Sequence, residues 1–141
     1  MRTPWHLWLV GVLSLAWNAM GALDYLLTET RNASYMKAFT PEQLAYFYSF
    51  PAWAVSCWAV GVWGAVLGSV LLLFRVRQAI WAFAFSLLGV IGFSIWQFAL
   101  APVRFVDIAG SAALIMTVAI YVVGLALLWY ARAMKLRGVL R

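Results

Sequence analysis

Side chains capable of acid–base, nucleophilic or metal chemistry are few in this sequence. Among 141 residues they comprise four acids, one histidine and one cysteine, which are Asp24, Glu29, Glu42, Asp107, His6 and Cys57. An enzyme needs a nucleophile with a base, a metal cluster or paired acids within reach of one another. A single cysteine also excludes an intrachain disulfide and a thiolate zinc cluster. We therefore expect no catalytic residues, no bound metal and no cofactor.

Uncharged polar residues within long apolar stretches form a second set of candidates. Asn18 and Gln97 are the main ones, and Ser86, Thr117 and Tyr121 would extend a polar interior around them. Hydrocarbon leaves such groups unsatisfied, so they bond across helices or mark a functional path. Cross-helix hydrogen bonds, worth about 1 kcal/mol or less each, are the favoured interpretation, and a polar solute pathway is the alternative.

Asp24 differs from these residues because its side chain ionises. It lies near the end of the first apolar stretch. Facing inward, it would be able to bind a proton or a cation. The favoured interpretation places it in the head-group zone, in contact with Arg31, Lys37 or Arg104.

The elements that position these residues are predicted to be membrane-spanning helices. Hydrophobic residues make up 67% of the chain and charged residues only 10%, too little polar surface for a soluble globule. A spanning helix needs about 20 apolar residues, and the stretches 5–27, 52–74, 79–100 and 108–130 meet that length. The sequence thus predicts an all-α polytopic membrane protein, with one domain over 1–141 folded as an antiparallel four-helix bundle.

A cleaved signal peptide is the alternative for the first stretch. Arg2 supplies a positive start, and Ala19 and Gly21, on either side of Met20, offer small residues where a peptidase requires them. The apolar region is long for a signal peptide, and cleavage would leave an odd number of spans. We therefore expect a membrane-spanning helix.

The distribution of charge predicts the orientation. One side holds only basic residues, Arg2, Arg75, Arg77, Arg132, Lys135, Arg137 and Arg141, whereas the other holds all four acids with Arg31, Lys37 and Arg104. The positive-inside rule then puts both termini in the cytoplasm. The net charge of +6 suits anionic head groups, and because no groove-reading motif accompanies it, nucleic acid is not an expected partner.

The first outer loop, 28–51, contains a helix signal. Thr40, Pro41 and Gln43 have the types and spacing of an N-cap, a first-turn proline and a capping box. Leu44, Phe47 and Tyr48 follow at i, i+3 and i+4 and would form one apolar face, and Pro51 would end the segment. We predict a short interfacial helix lying flat on the outer surface.

Small residues recur at heptad spacing in the second span. Ala54, Cys57, Gly61, Gly64 and Gly68 step by 3, 4, 3 and 4. Because the hydrophobic effect gives almost no preference between helices in lipid, such stripes allow the close approach that holds helices together. The other three spans also carry small and polar residues on one face. These patterns predict a compact bundle around an interior shared by all four helices.

A set of residues over about the first two thirds of the chain forms a recognisable pattern: Trp5, Trp17-Asn18, Pro51-Ala52-Trp53, Gly68, Ala79 and Ser86-Leu87. In these residues the sequence resembles a loose family of small, uncharacterised four-helix bacterial inner-membrane proteins. Some members carry a sugar-transporter label. The resemblance implies a location in the bacterial inner membrane.

Of three classes of function, namely catalysis, transport and interaction with a membrane assembly, the sequence supports catalysis least. The favoured expectation is a non-catalytic interaction or accessory subunit of a membrane assembly. The alternative is a transporter of a small solute such as a sugar, acting as a homo-oligomer, because a solute pathway through four helices would normally need at least a dimer with its site near the midplane. The expected partners are the lipid bilayer and either further copies of the chain or a larger membrane protein complex.

Overall fold

The computed structural model describes residues 3–141, and every regular element in that range is helical. In chain order the helices are α1 (Trp5–Glu29), α2 (Ala33–Met36), α3 (Pro41–Tyr48), α4 (Ala52–Leu73), α5 (Ala79–Ile95), α6 (Phe105–Ala109) and α7 (Ser111–Leu136), and a π-helical turn, Trp96–Leu100, continues α5. Four helices, namely α1, α4, α5 with its π-helical turn, and α7, are long and apolar enough to cross a membrane. The prediction of an all-α chain with four candidate spans is therefore confirmed. Arg2, one of the residues used to predict orientation, lies outside the described residues.

The fourth span differs most from its predicted limits of 108–130. It begins at Ser111, because Gly110 adopts a φ of +74° and separates α7 from the short α6. It continues to Leu136 because Ala131 and Met134 still pack on the core while the intervening Arg132 stays exposed. An apolar run therefore underestimates the length of a helix that leaves the apolar layer with one face still buried.

The helices pair in chain order. α4 and α5 form the closest pair, α1 packs along α4, and α7 packs along α5. The small-residue stripe of α4 faces α5: a Cβ placed on Gly61 would lie 3.1 Å from the Val90 side chain, and one on Gly68 would lie 2.6 Å from the Phe83 ring. Glycine thus brings the two backbones together.

The terminal end of the molecule, defined here by residues 3–7, 74–81 and 130–141, closes around an apolar core. Leu7, Leu72, Phe83 and Leu127 are among its buried members. After α7 the chain reverses through Gly138, whose φ is +75°, and the Val139 N–H donates to the Met134 carbonyl at 2.9 Å, the bond of a Schellman motif. Val139 and Leu140 then insert into the same core.

The last residue joins the turn between α4 and α5. The Arg77 N–H donates to the Arg141 carbonyl, and the Arg141 N–H donates to the Arg75 carbonyl, both at 2.8 Å. Arg75 itself has a φ of +58° and donates from Nη1 to the Thr3 hydroxyl at 2.7 Å. Backbone and side-chain hydrogen bonds thus hold three separate chain segments together at this end.

The loop end, defined by residues 30–51 and 101–110, carries the predicted α3. Thr40 and Gln43 form the reciprocal bonds of a capping box, and Pro41 occupies the first turn, so this prediction is confirmed. The buried face differs from the predicted one. Tyr46 is the buried residue, only 4% exposed, whereas Leu44 and Phe47 are half-buried. α3 docks on the protein through Tyr46, because aromatic rings from the α5 π-helical turn and α6 cover that face.

Candidate functional site

A chain of hydrogen bonds joins α1 to α4 within the apolar layer. The Asn18 Nδ2 donates to the Ser69 hydroxyl at 2.9 Å and to the Ala65 carbonyl at 3.1 Å. The hydroxyls of Ser69 and Ser14 lie 2.9 Å apart, and Ser14 donates to the Gly11 carbonyl at 3.1 Å. All three side chains are buried.

The direction of this chain follows from the count of protons. A serine hydroxyl has one hydrogen, and that of Ser14 is used on Gly11. Ser69 must therefore donate to Ser14 while it accepts from Asn18. Each polar hydrogen in the series Asn18, Ser69, Ser14 has an acceptor, so the arrangement ties the two helices together.

Ser69 was not singled out from the sequence. It follows Gly68 and is the only hydroxyl-bearing residue between Trp58 and Phe74. A lone hydroxyl in so long an apolar run was the available signal. Its partner was not predictable, because 51 residues separate it from Asn18.

Ser86 and the small-residue stripe lie at the α4–α5 contact. The Ser86 hydroxyl donates to the Gly61 carbonyl at 2.5 Å. A Cβ on Gly89 would lie 2.6 Å from the Cys57 carbonyl oxygen and 2.7 Å from the Gly61 nitrogen. Ser86 and this glycine therefore belong to a packed seam between two backbones.

Tyr121 and Thr117 lie on α7. The Tyr121 hydroxyl donates to Ser94 Oγ of α5 at 2.8 Å. The Thr117 hydroxyl donates to the Ala113 carbonyl of its own helix, also at 2.8 Å. The sequence predicted that the five polar candidates surround one shared interior. This prediction is wrong, because they lie in separate contacts between or within helices. Asn18 serves the α1–α4 pair, Ser86 the α4–α5 pair and Tyr121 the α5–α7 pair, because each pair satisfies its own polar groups.

Gln97, the fifth candidate, lies in the π-helical turn near Tyr46. Burial raises the pKa of Tyr46 to about 12, and the nearby Gln97 side chain lowers this pKa by a smaller amount. The Tyr46 hydroxyl nevertheless has no hydrogen-bond partner of ordinary geometry. Its ring stacks on Phe105, with centroids 5.7 Å apart, and contacts Phe50 edge-on at 5.4 Å.

Asp24 bonds to a tyrosine rather than to a basic residue. Its carboxylate accepts a short hydrogen bond from the Tyr35 hydroxyl of α2. The sequence had instead predicted a contact between Asp24 and Arg31, Lys37 or Arg104. Arg31 instead lies over the ring of Tyr48, 4.0 Å from the centroid. Burial, followed by the hydrogen bond and the negative charge of Asp24, raises the pKa of Tyr35 to about 12. Asp24 therefore fastens the loop to α1.

The histidine and the cysteine lie in different parts of the fold. His6 Nδ1 lies 2.5 Å from the Tyr130 hydroxyl at the terminal end and joins α1 to α7. Cys57 is half-buried in the α4–α5 seam. Within residues 3–141, no three His, Cys, Asp or Glu side chains are close enough to hold a metal ion.

An open cavity lies at the terminal end between the α4–α5 turn and α7. It has a volume of about 280 Å³ and is lined by Arg77, Gln78, Ile80, Trp81 and Lys135. Its charged lining residues are both basic. All four acidic residues, by contrast, lie at or beside the loop end, at positions 24, 29, 42 and 107.

No family, curated protein or solved structure matches this chain. Membership of the bacterial inner-membrane family suggested by the sequence motifs stays a prediction.

Proposed function

We propose that this chain is a non-catalytic membrane protein that serves as an interaction or accessory subunit of a larger membrane assembly, with α7 as the contact helix. The observation that carries the proposal is how little of α7 its own chain covers near the loop end. Leu114, Ile115 and Met116 are consecutive and all exposed. Successive residues turn by about 100°, so these three leave more than half of the helix circumference open.

The packing of α7 adds to this argument. Its main neighbour is α5, and between residues 111 and 120 Ala113 is its one buried residue. In lipid, a helix gains from close van der Waals contact with a second helix. A transmembrane helix of a partner protein, seated between the exposed side of α7 and lipid, would supply the contact that α5 supplies on the other side.

The polar side chains favour this function over transport. A solute pathway would gather polar groups around a shared space near the midplane. Here each of these side chains forms a hydrogen bond with the neighbouring helix: Asn18 with Ser69 of α4, Ser86 with the Gly61 carbonyl of α4, and Tyr121 with Ser94 of α5. These bonds strengthen helix pairing, which is the property that a stable docking scaffold requires.

Site-specific photo-crosslinking in native membranes tests the proposal. A benzophenone side chain is placed at Ile115 on α7, which is 71% exposed, and for comparison at Leu13 on α1, which is 60% exposed. A membrane protein at α7 should give one discrete protein adduct from position 115 and mainly lipid adducts from position 13.

The outcomes are distinguishable by mass. An adduct of one defined partner at position 115 supports the accessory function. An adduct with the mass of two copies would replace it with a homo-oligomer, and lipid adducts alone at both positions would contradict a protein partner at α7.

We also propose that the chain lies in a bacterial inner membrane with both termini in the cytoplasm. The support is the charge asymmetry, because the terminal end carries Arg75, Arg77, Arg132, Lys135, Arg137 and Arg141 without a single Asp or Glu. A reporter fused after Arg141 that functions only in the cytoplasm should be active, and the same reporter inserted after Ala38 in the outer loop should be silent. The reverse pattern would overturn this orientation.

A further inference from the structure

We propose that the cavity at the terminal end binds the phosphate group of an anionic phospholipid. Arg77 and Lys135 would pair with the phosphate, and Gln78 and the Trp81 indole would offer further hydrogen-bond donors. The inference concerns lipid recognition and does not depend on the accessory function of α7.

The cavity has a defined backbone frame. Arg77 and Gln78 belong to the α4–α5 turn, Ile80 and Trp81 to the first turn of α5, and Lys135 to the last turn of α7. The Arg77 N–H bonds to the Arg141 carbonyl at 2.8 Å, and its carbonyl accepts from the Ile80 N–H at 3.2 Å. On the other wall, the Lys135 carbonyl accepts from the Gly138 N–H at 3.0 Å. Two elements distant in sequence are thus fixed beside one another.

Charge identifies the class of ligand. No Asp or Glu occurs between residues 43 and 106 or after residue 107, so the side chains at this end provide no counter-charge for Arg77 and Lys135. A phosphodiester supplies it, since guanidinium and ammonium groups form charge-assisted hydrogen bonds with phosphate oxygens. Basic pockets between transmembrane helices are recognised binding places for anionic lipid head groups.

The surface next to the cavity favours a lipid over free phosphate. Trp81 is 66% exposed, and Phe85 and Leu88, at +4 and +7 on the same face of α5, are also exposed. This apolar track runs about 10 Å along the helix from the cavity toward the membrane centre. An acyl chain attached to the bound phosphate would lie along it, and tryptophan is typical of the head-group level.

The test compares two double variants that remove the same charge from the same end. R77Q/K135Q removes both cavity cations, and R132Q/R137Q removes two exposed cations outside the cavity lining. Purified protein is mixed with phosphatidylglycerol or with phosphatidylcholine of the same chain length, and bound lipid is counted by native mass spectrometry. Circular dichroism and gel filtration check the fold of each variant.

We expect the wild type to prefer phosphatidylglycerol. A hydrogen bond to a charged group contributes about tenfold or more in affinity, so R77Q/K135Q should lose roughly 100-fold, whereas R132Q/R137Q should lose clearly less, because its two residues act only through the diffuse surface charge. Equal losses in the two variants would overturn the proposal, because the attraction would then be a diffuse effect of surface charge. If R77Q/K135Q fails to fold, Lys135→Gln alone, on an exposed residue, should lose more affinity than Arg137→Gln, on an exposed residue outside the cavity lining, and equal losses would again overturn the proposal.

Glycerol phosphate distinguishes the two sources of a phosphate group. If the lipid is the ligand, millimolar glycerol phosphate should displace little phosphatidylglycerol, because it cannot use the track of Trp81, Phe85 and Leu88. Full displacement at that concentration would show that phosphate alone is recognised and would overturn the assignment to lipid.

Discussion

Gly89 of α5 lies against the backbone of Cys57 in α4: a Cβ at position 89 would be 2.6 Å from the Cys57 carbonyl oxygen. The contact atoms belong to a helix backbone and cannot rotate away as a side chain can. The closest helix pair of the molecule therefore depends on the absence of one methyl group.

Gly89→Ala should destabilise the protein by about 1–3 kcal/mol, the usual cost of forcing extra volume into a packed contact. The measurement is the unfolding midpoint in mixed micelles, followed by circular dichroism. Gly21→Ala is the matched control, because a Cβ there would meet only the Val62 side chain at an ordinary 3.6 Å. Equal stability of the two variants would contradict the close α4–α5 seam.

Ser69→Ala should weaken the α1–α4 pair. The substitution removes the acceptor of Asn18 and the donor to Ser14, so we expect a loss of about 1 kcal/mol in the free energy of unfolding. Asn18→Leu should cost a similar amount, and the double variant should cost less than the sum because the two residues share one bond. Ser56→Ala controls for serine removal, since Ser56 bonds only to Ala52 of its own helix. Strict additivity would contradict the hydrogen-bond chain.

Tyr46→Phe and Tyr35→Phe remove the same hydroxyl group from two different surroundings. The Tyr46 hydroxyl is buried without a partner, and removal of such a group relieves a desolvation cost, so stability should be unchanged or rise by about 1 kcal/mol. The Tyr35 hydroxyl donates to Asp24, and its removal should lower stability by about 1.5–3 kcal/mol, as for a hydrogen bond to a charged group. Thermal unfolding of both variants measures the difference. A destabilised Tyr46→Phe would reveal a partner for that hydroxyl.

Alkaline pH should loosen the loop end. The pKa of Tyr35 and the pKa of Tyr46 are each raised to about 12, in both cases first by burial, against 10 in the unfolded chain. The folded state therefore holds these protons to higher pH than the unfolded state. The advantage of the protonated over the ionised phenols in the folded state is therefore fully present below pH 10 and is lost as the pH rises through 12, so the free energy of unfolding falls in that range.

The measurement is the pH dependence of the unfolding midpoint between pH 9 and pH 12 for the wild type and for Y35F/Y46F. The slope should be shallower in the double variant, because two of the six tyrosines no longer titrate. Identical slopes would show that neither phenol is linked to folding. Tyr48→Phe serves as a control at the same end.

Features that depend on residues adjacent in sequence were predictable. The number of candidate spans follows from the length of apolar runs, since each helical residue adds a fixed rise. The start of α3 follows from Thr40 and Gln43, because a capping box involves only residues three positions apart. These features required no knowledge of what lies beside each helix.

Features that depend on distant residues were decided by the tertiary structure. Each span carries small and polar residues on one face, but periodicity does not say which neighbour that face meets. The partner of Asn18 is Ser69, the partner of Asp24 is Tyr35, and the buried residue of α3 is Tyr46. Lipid solvates every apolar face almost equally well. Hydrogen-bond geometry and backbone clearance between particular pairs of helices therefore select the packing, and both exist only once the chain has folded.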